Sequence, residues 1–250
     1  MQRVQLMNLA NTLSSADALF IVYHGVLVPP VIPRYRASPD PAILELLTML
    51  RKKMKVVVVA TRSYSALSKI AEYVDALICC NGCETHLQDL VVLPRNVHSH
   101  AHVVLEIARK LESTEILTVE LRRTSFGDAV GLAAEWGGDL SKNDRENLEL
   151  ALKLAIDSGL LVYSDPRAGF VEIYTPYCNR RKAVEIVKRL LNIQKAIYLG
   201  ESILDREVFN VVEIPIAIRH ELNRDVELNA EYEVPREQLV SLLKSMVSRL

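Results

Sequence analysis

Four short stretches hold residues whose types and spacing could do chemistry. In "FIVYHGVL", residues 20 to 27, the side chains capable of polar chemistry are Tyr23 and His24. Histidine can act as base or nucleophile near neutral pH. After "KVVVVA" come Thr61 and Arg62, a hydroxyl and a cation that could hold an anion. "NRRK", residues 179 to 182, places Arg180, Arg181 and Lys182 at the start of an amphipathic segment, where a helix N-terminus also favours anions. "GESILDREVF", residues 200 to 209, supplies the polar side chains of Glu201, Ser202 and Asp205.

Each stretch follows or adjoins an apolar run. Residues 18 to 23, 55 to 60, 76 to 80, 195 to 200 and 214 to 218 are continuous Val/Ile/Leu-rich segments. Continuous rather than alternating apolar character predicts strands covered on both faces, as in a parallel sheet. Helical patterns separate them. "DPAILELLTMLRKK" has Pro in its first turn and a basic end, and "NRRKAVEIVKRLL" and "REQLVSLLKSMVSRL" repeat the amphipathic spacing. This alternation predicts an α/β doubly wound core from residues 1 to 85 and 166 to 250. Residues 86 to 165 read as an inserted α+β cap, with a hairpin punctuated by Asp165-Pro166 and Gly169 near its end. In such a core, chemistry collects at the C-terminal ends of the strands, where the four stretches lie.

Taken in order, the four stretches resemble the haloacid dehalogenase (HAD) superfamily of phosphatases, in its trehalose-6-phosphate phosphatase-like branch, over roughly residues 18 to 248. The resemblance implies a Rossmann-like HAD core with a cap, and Mg²⁺ as cofactor. Residues 20 to 29 keep the frame of the family's F-L-D-Y-D-G-T-L-x-P. Val22 stands where the family has its nucleophilic aspartate, and His24 where it has the general acid/base. Alternation along the strand explains the spacing of two, since both acids must project toward one phosphate. Aligning Arg62 with the arginine of the second motif puts Ala60 on the family threonine and Thr61 on its glycine. The turn "CCNGCETHL" resembles x-x-H-G-A-E, with Gly82 and Glu84 retained and Asn81 in place of histidine. Arg180 falls on the third motif's lysine, with Lys182 nearby, and a solvated basic face is the competing reading. In the fourth motif Glu201 and Ser202 replace the leading acids, and Asp205 is either a residual metal ligand or a helix cap. The resemblance therefore implies a degenerate catalytic site with no metal bound, and Thr61, Arg62, Arg180 and Lys182 as an anion-binding set. The sugar-phosphate cluster of the cap has no counterpart, although Arg122 or Arg123 could replace one member.

Three functions follow as expectations: a pseudophosphatase retained for binding, regulation or assembly; a sugar phosphatase with altered chemistry, drawing on His24, Thr61, Glu201, Asp205 and Lys182; or an interaction subunit. With 30 Lys plus Arg against 31 Asp plus Glu, the net charge of −1 gives no bulk attraction to nucleic acid or anionic lipid, and the clusters "LRKKMK" and "NRRK" are short. An unidentified protein or a small anion is the expected partner. The absence of long apolar runs, and of an h-region in "MQRVQLMNLANTLSS", predicts a cytoplasmic protein. Abundant Val, Leu and Ile point to a thermophilic source. Three of the four cysteines fall in "ICCNGCETH". A zinc site through Cys80, Cys83 and His86, or the "HSHAH" run, competes with a buried strand end, and the pattern is not that of a disulfide scaffold.

Overall fold

The computed structural model describes residues 13, 15–30, 38–112, 114, 117–165 and 169–249. Residues 1–12, read above for a secretory signal, and Pro166 of the hairpin turn lie outside the described residues.

The chain begins a sheet with β1 (Ala18–Val22), helix α1 (Pro41–Arg51), β2 (Lys55–Val59) and β3 (Ala76–Cys79), then turns back through β4 (Glu84–Leu87) and β5 (Leu90–Val92). It leaves to build a smaller unit from α2 (Ala101–Glu112), β6 (Thr118–Arg123), β7 (Ala129–Glu135), α3 (Lys142–Asp157), β8 (Leu161–Asp165) and β9 (Phe170–Tyr174). It returns through α4 (Arg180–Leu190), β10 (Ala196–Gly200), β11 (Ile214–Arg219), β12 (Tyr232–Pro235) and α5 (Leu239–Arg249).

The large sheet has eight strands in the order β12-β11-β10-β1-β2-β3-β4-β5, parallel from β12 to β3 and antiparallel beyond. β1 and β10 are buried at every position, as their unbroken apolar sequences require. Each fully buried Val, Ile or Leu contributes about 1.5–3 kcal/mol relative to exposure, so these central strands anchor the core. Helix α1 starts where Asp40 accepts from the Ala42 amide at 2.8 Å, and it buries Ile43, Leu46, Leu47 and Leu50. The strand order reverses between β1 and β10, which opens the crevice of a doubly wound sheet at their C-terminal ends.

The second sheet is antiparallel, in the order β6-β7-β9-β8, and α2 and α3 bury their own apolar cluster with it around Val104, Ile107, Leu132, Ala151 and Ile173. The sequence boundary at 165/166 falls inside this sheet's last hairpin. Tyr163 and Ser164 of β8 pair with Glu172 and Val171 of β9, so the cap sheet runs to Tyr174. At the other boundary, β5 stays with the core sheet through its pairing with β4. The turn residues marked the hairpin, but pairing decides which unit owns its second strand.

Candidate functional site

The crevice is built first by β1 and the turn after it. Val22 ends β1 and is buried, and Leu27 and Val28 donate back to the Val22 and Tyr23 carbonyls at 3.0 and 2.8 Å. Val26, Leu27 and Val28 are fully buried, so the turn is filled by apolar side chains where the sequence frame places a catalytic loop. His24 is buried with its ring edge-on to Tyr23, centroids 5.1 Å apart. Gly25 adopts φ +74°, and a Cβ there would lie 2.7 Å from the Glu201 side chain. The left-handed φ favours glycine here, and the Glu201 side chain lies over the turn.

β2 delivers Ala60, Thr61 and Arg62 to the same end of the sheet, all buried. The Thr61 carbonyl accepts from Tyr174 Oη of the cap at 3.2 Å, and no partner of its buried hydroxyl is found among the described residues. Arg62 reaches the cap, with its Nη2 3.6 Å from Glu120 of β6. Burial raises the Tyr23 phenol above its ordinary pKa, partly offset by the Arg62 guanidinium.

Helix α4 begins at Asn179, whose side chain accepts from the Lys182 amide at 2.8 Å. Arg180 is buried, so the reading of a solvated basic face fails for it, while Arg181 and Lys182 are exposed as that reading has them. Its Nε donates to Asn81 Oδ1 at 3.0 Å and its Nη1 to Asp205 Oδ1. Burial opposes the charge, but Asp205, Tyr198 and Glu172 together outweigh it and raise the guanidinium pKa. Lys182, two residues on, is exposed, so it does not converge with His24, Thr61 and Asp205 as the sequence allowed.

Asp205 is completely buried. Its Oδ1 accepts from Arg180 and from Tyr198 Oη at 2.6 Å, and its Oδ2 from the Glu201 and Ser202 amides at 2.8 and 2.9 Å and from Ser202 Oγ at 3.2 Å. Ser202 and Asp205 thus form the capping box of the 203–205 turn, with Asp205 as its third residue; the helix that starts at Arg206 receives no side-chain bond from Asp205, so the expected helix cap is replaced by this backward role. Glu201 meets His220 Nε2 at 3.0 Å, and its carbonyl accepts from Asn223 at 2.8 Å. Burial, and then the Asp205 charge, push the Tyr198 phenol well up.

The cap closes over this crevice with charges of its own. Arg122 is buried and paired with Glu120 of the same strand. Burial opposes its charge, but Tyr174, Glu120 and Glu172 raise its pKa. Arg123 bonds Gly127 of its own hairpin at 2.9 Å. Arg122 is thus committed to the cap's own carboxylate, whereas Arg123 stays exposed. Glu120, Glu172, Tyr174, Tyr198 and His220 were not marked by the sequence, because they lie on cap strands or beyond the motifs, with nothing local to distinguish them.

The cysteines correct the sequence reading. Cys83 forms a disulfide with Cys178, 95 residues away, while Cys79 and Cys80 are free and buried. The pairing crosses from the core turn to the loop after β9, so local CxxC spacing did not carry it. No group of three or more metal-ligating side chains is present among the described residues.

The architecture has well-defined counterparts among solved structures. A trehalose-6-phosphate phosphatase related protein superposes with a TM-score of 0.72 at 18% identity, covering 92% of this chain and 97% of that one. The C-terminal domain of C. albicans trehalose-6-phosphate phosphatase gives 0.76 at 17% identity, covering 98% and 97%. The chain has the HAD phosphatase fold. A HAD subclass IIB sugar phosphatase matches with a TM-score of 0.62 at 14% identity over 92% of this chain and 97% of that one. Sequence comparison with protein-family models and with curated proteins gives no match. No helix among the described residues is long and apolar enough to cross a membrane.

Within this HAD fold, β1, β2, α4 and β10 present the positions that the four motifs occupy by sequence. Val22, His24, Ala60, Thr61, Arg180, Glu201, Ser202 and Asp205 surround one crevice end, and Lys182 lies outside it on the surface.

Proposed function

We propose that this chain is a catalytically silent HAD-fold protein, retained for binding or assembly rather than for phosphoryl transfer. The observation that carries this reading is the commitment of Asp205. Its two oxygens already accept five hydrogen bonds, from Arg180, Tyr198, Glu201, Ser202 amide and Ser202 hydroxyl. Glu201 is engaged by His220, and the nucleophile position offers the hydrocarbon of Val22. Mg²⁺ demands near-ideal octahedral oxygen ligation, and these residues do not fit it.

Ion pairing around the crevice supports the same reading. Arg62 and Arg122 pair with Glu120 and Arg180 with Asp205, while Glu172 and Glu201 add two further carboxylates, so these cations already have partners within the protein. A site with its cations internally compensated gives no electrostatic reward to an arriving phosphate, and displacing either partner of a buried pair is costly. The fold's phosphate end is therefore occupied by the protein itself. Arg180 and Lys182 belong to a structural ion pair and to the surface respectively, leaving Thr61 and Arg62 as the members of the expected anion set that face the crevice.

The partner consistent with this reading is another protein, in a cytoplasmic setting, with neither membrane insertion nor general nucleic-acid binding. Binding to the folded state raises apparent stability by mass action, so ligand-dependent melting tests the reading directly. Millimolar Mg²⁺ or inorganic phosphate, alone or together, is expected to leave the melting temperature unchanged. A saturable upward shift with Mg²⁺ would contradict it.

A further inference from the structure

The disulfide sits at the point where the cap is fastened to the core. Cys83 follows the turn 80–82, and Cys178 lies in the segment that returns from β9 of the cap to α4 of the core. Around the bridge, Thr175 Oγ1 lies 3.7 Å from the Cys83 sulfur and 3.6 Å from the Cys178 sulfur. The Thr175 amide donates to the Val130 carbonyl of β7 at 2.9 Å. Glu84, the very next residue, receives the tip of the cap hairpin: its Oε1 accepts from the Ser125 amide at 2.9 Å and from the Ser125 hydroxyl. Beside it, Ser63 Oγ accepts from the Arg123 amide at 2.9 Å. The cap's return segment and its hairpin tip therefore attach to adjacent core residues.

The turn that carries both attachments is conformationally loaded. Cys80, Asn81 and Gly82 have φ of 48°, 55° and 92°, three successive left-handed residues, two of them with side chains. Such residues persist only where their surroundings over-determine them. Here the restraints are the Cys83–Cys178 bridge, the Arg180 bond to Asn81, and backbone bonds from Cys80 and Asn81 to the Arg62 and Ala60 carbonyls at 2.8 and 2.9 Å. A Cβ on Gly82 would meet the Asn179 carbonyl oxygen at 2.5 Å, so the turn and the return segment are in backbone contact.

We propose that the Cys83–Cys178 disulfide is a redox-controlled fastening of the cap, whose reduction releases the 80–84 turn and with it the docking of the β6–β7 hairpin tip on Glu84. Reduction by a dithiol proceeds by ordinary exchange: a thiolate of the reductant attacks one sulfur, the second thiol displaces the mixed disulfide, and two protein thiols and one oxidised dithiol result. Both bridge sulfurs belong to buried residues, so attack requires the junction to open first. Burial pushes the neighbouring Cys80 thiol up to about 12, which keeps it protonated and out of the exchange. The fastening is independent of whether the core turns over phosphate esters.

Hydrogen–deuterium exchange on the full chain tests this, in the oxidised state, after treatment with dithiothreitol, and in the Cys83→Ala/Cys178→Ala variant. In the oxidised protein, unfolding without reductant should expose the thiols of Cys79 and Cys80 alone to alkylation, with a Cys83–Cys178 linked peptide in the digest. Reduction should accelerate exchange in residues 118–135 and 84–92 by about tenfold or more, as local opening does, with β1 and β2 unchanged. Recovery of four alkylated cysteines from the air-oxidised protein, equal exchange in the two states, or equal acceleration of cap and central strands would each overturn the proposal. The dithiothreitol arm decides the matter even if the double variant fails to fold.

Discussion

Asp205 and Arg180 set the chemistry of the crevice at the level of single residues. A buried carboxylate that saturates its lone pairs on protein donors is a structural group, and its partner guanidinium has no stable state without it. Asp205→Asn should therefore cost about 3–5 kcal/mol, measured by denaturant unfolding, because it strands a buried cation. Combining it with Arg180→Met should recover part of that loss, giving a coupling of about 1–3 kcal/mol in a double-mutant cycle. Strictly additive effects would show that the two side chains do not act as a pair. The sequence marked both positions through their place in the motif frame. It left open whether Arg180 lay on a solvated face and whether Asp205 held a metal or capped a helix, because those outcomes depend on Tyr198 and Asn81, residues that meet them only in the folded chain.

At the scale of elements, the strands and helices of the core were legible because each carries its burial in its own pattern. β1 and β10 are apolar throughout, and α1 announces itself by Asp40, Pro41 and its apolar spacing. The cap hairpin was legible as a hairpin but not as the cap's possession, since ownership is written in cross-strand pairing. Docking of the β6–β7 tip is equally non-local, and it makes a pH prediction. Burial pushes the Glu84 carboxyl up, but the His86 ring 3.2 Å away and the hydrogen bonds from Ser125 outweigh it and hold the group below its ordinary 4.5. A carboxyl depressed in the folded state stabilises it above the unfolded pKa and loses that contribution as pH falls through the lower folded value. Melting temperature should thus fall on acidification below about pH 4.5 more steeply for the native chain than for Glu84→Gln, which removes this titration. Parallel pH profiles for the two proteins would contradict the role given to Glu84.

For the whole molecule, a core and cap with the HAD phosphatase architecture meet where the arginines are paired with the protein's own carboxylates. Global shape was accessible from the order of strands, helices and motif frames. The internal filling of the crevice was not, because Glu120, Arg122, Glu172 and Tyr174 come from cap strands distant in sequence from the core motifs they meet. The proposed silence toward phosphate esters is tested most directly by steady-state hydrolysis of a chromogenic phosphomonoester by the pure protein with Mg²⁺ present. The expected result is release no faster than in buffer alone. Mg²⁺-dependent turnover that disappears in His24→Ala or Glu201→Gln would contradict it.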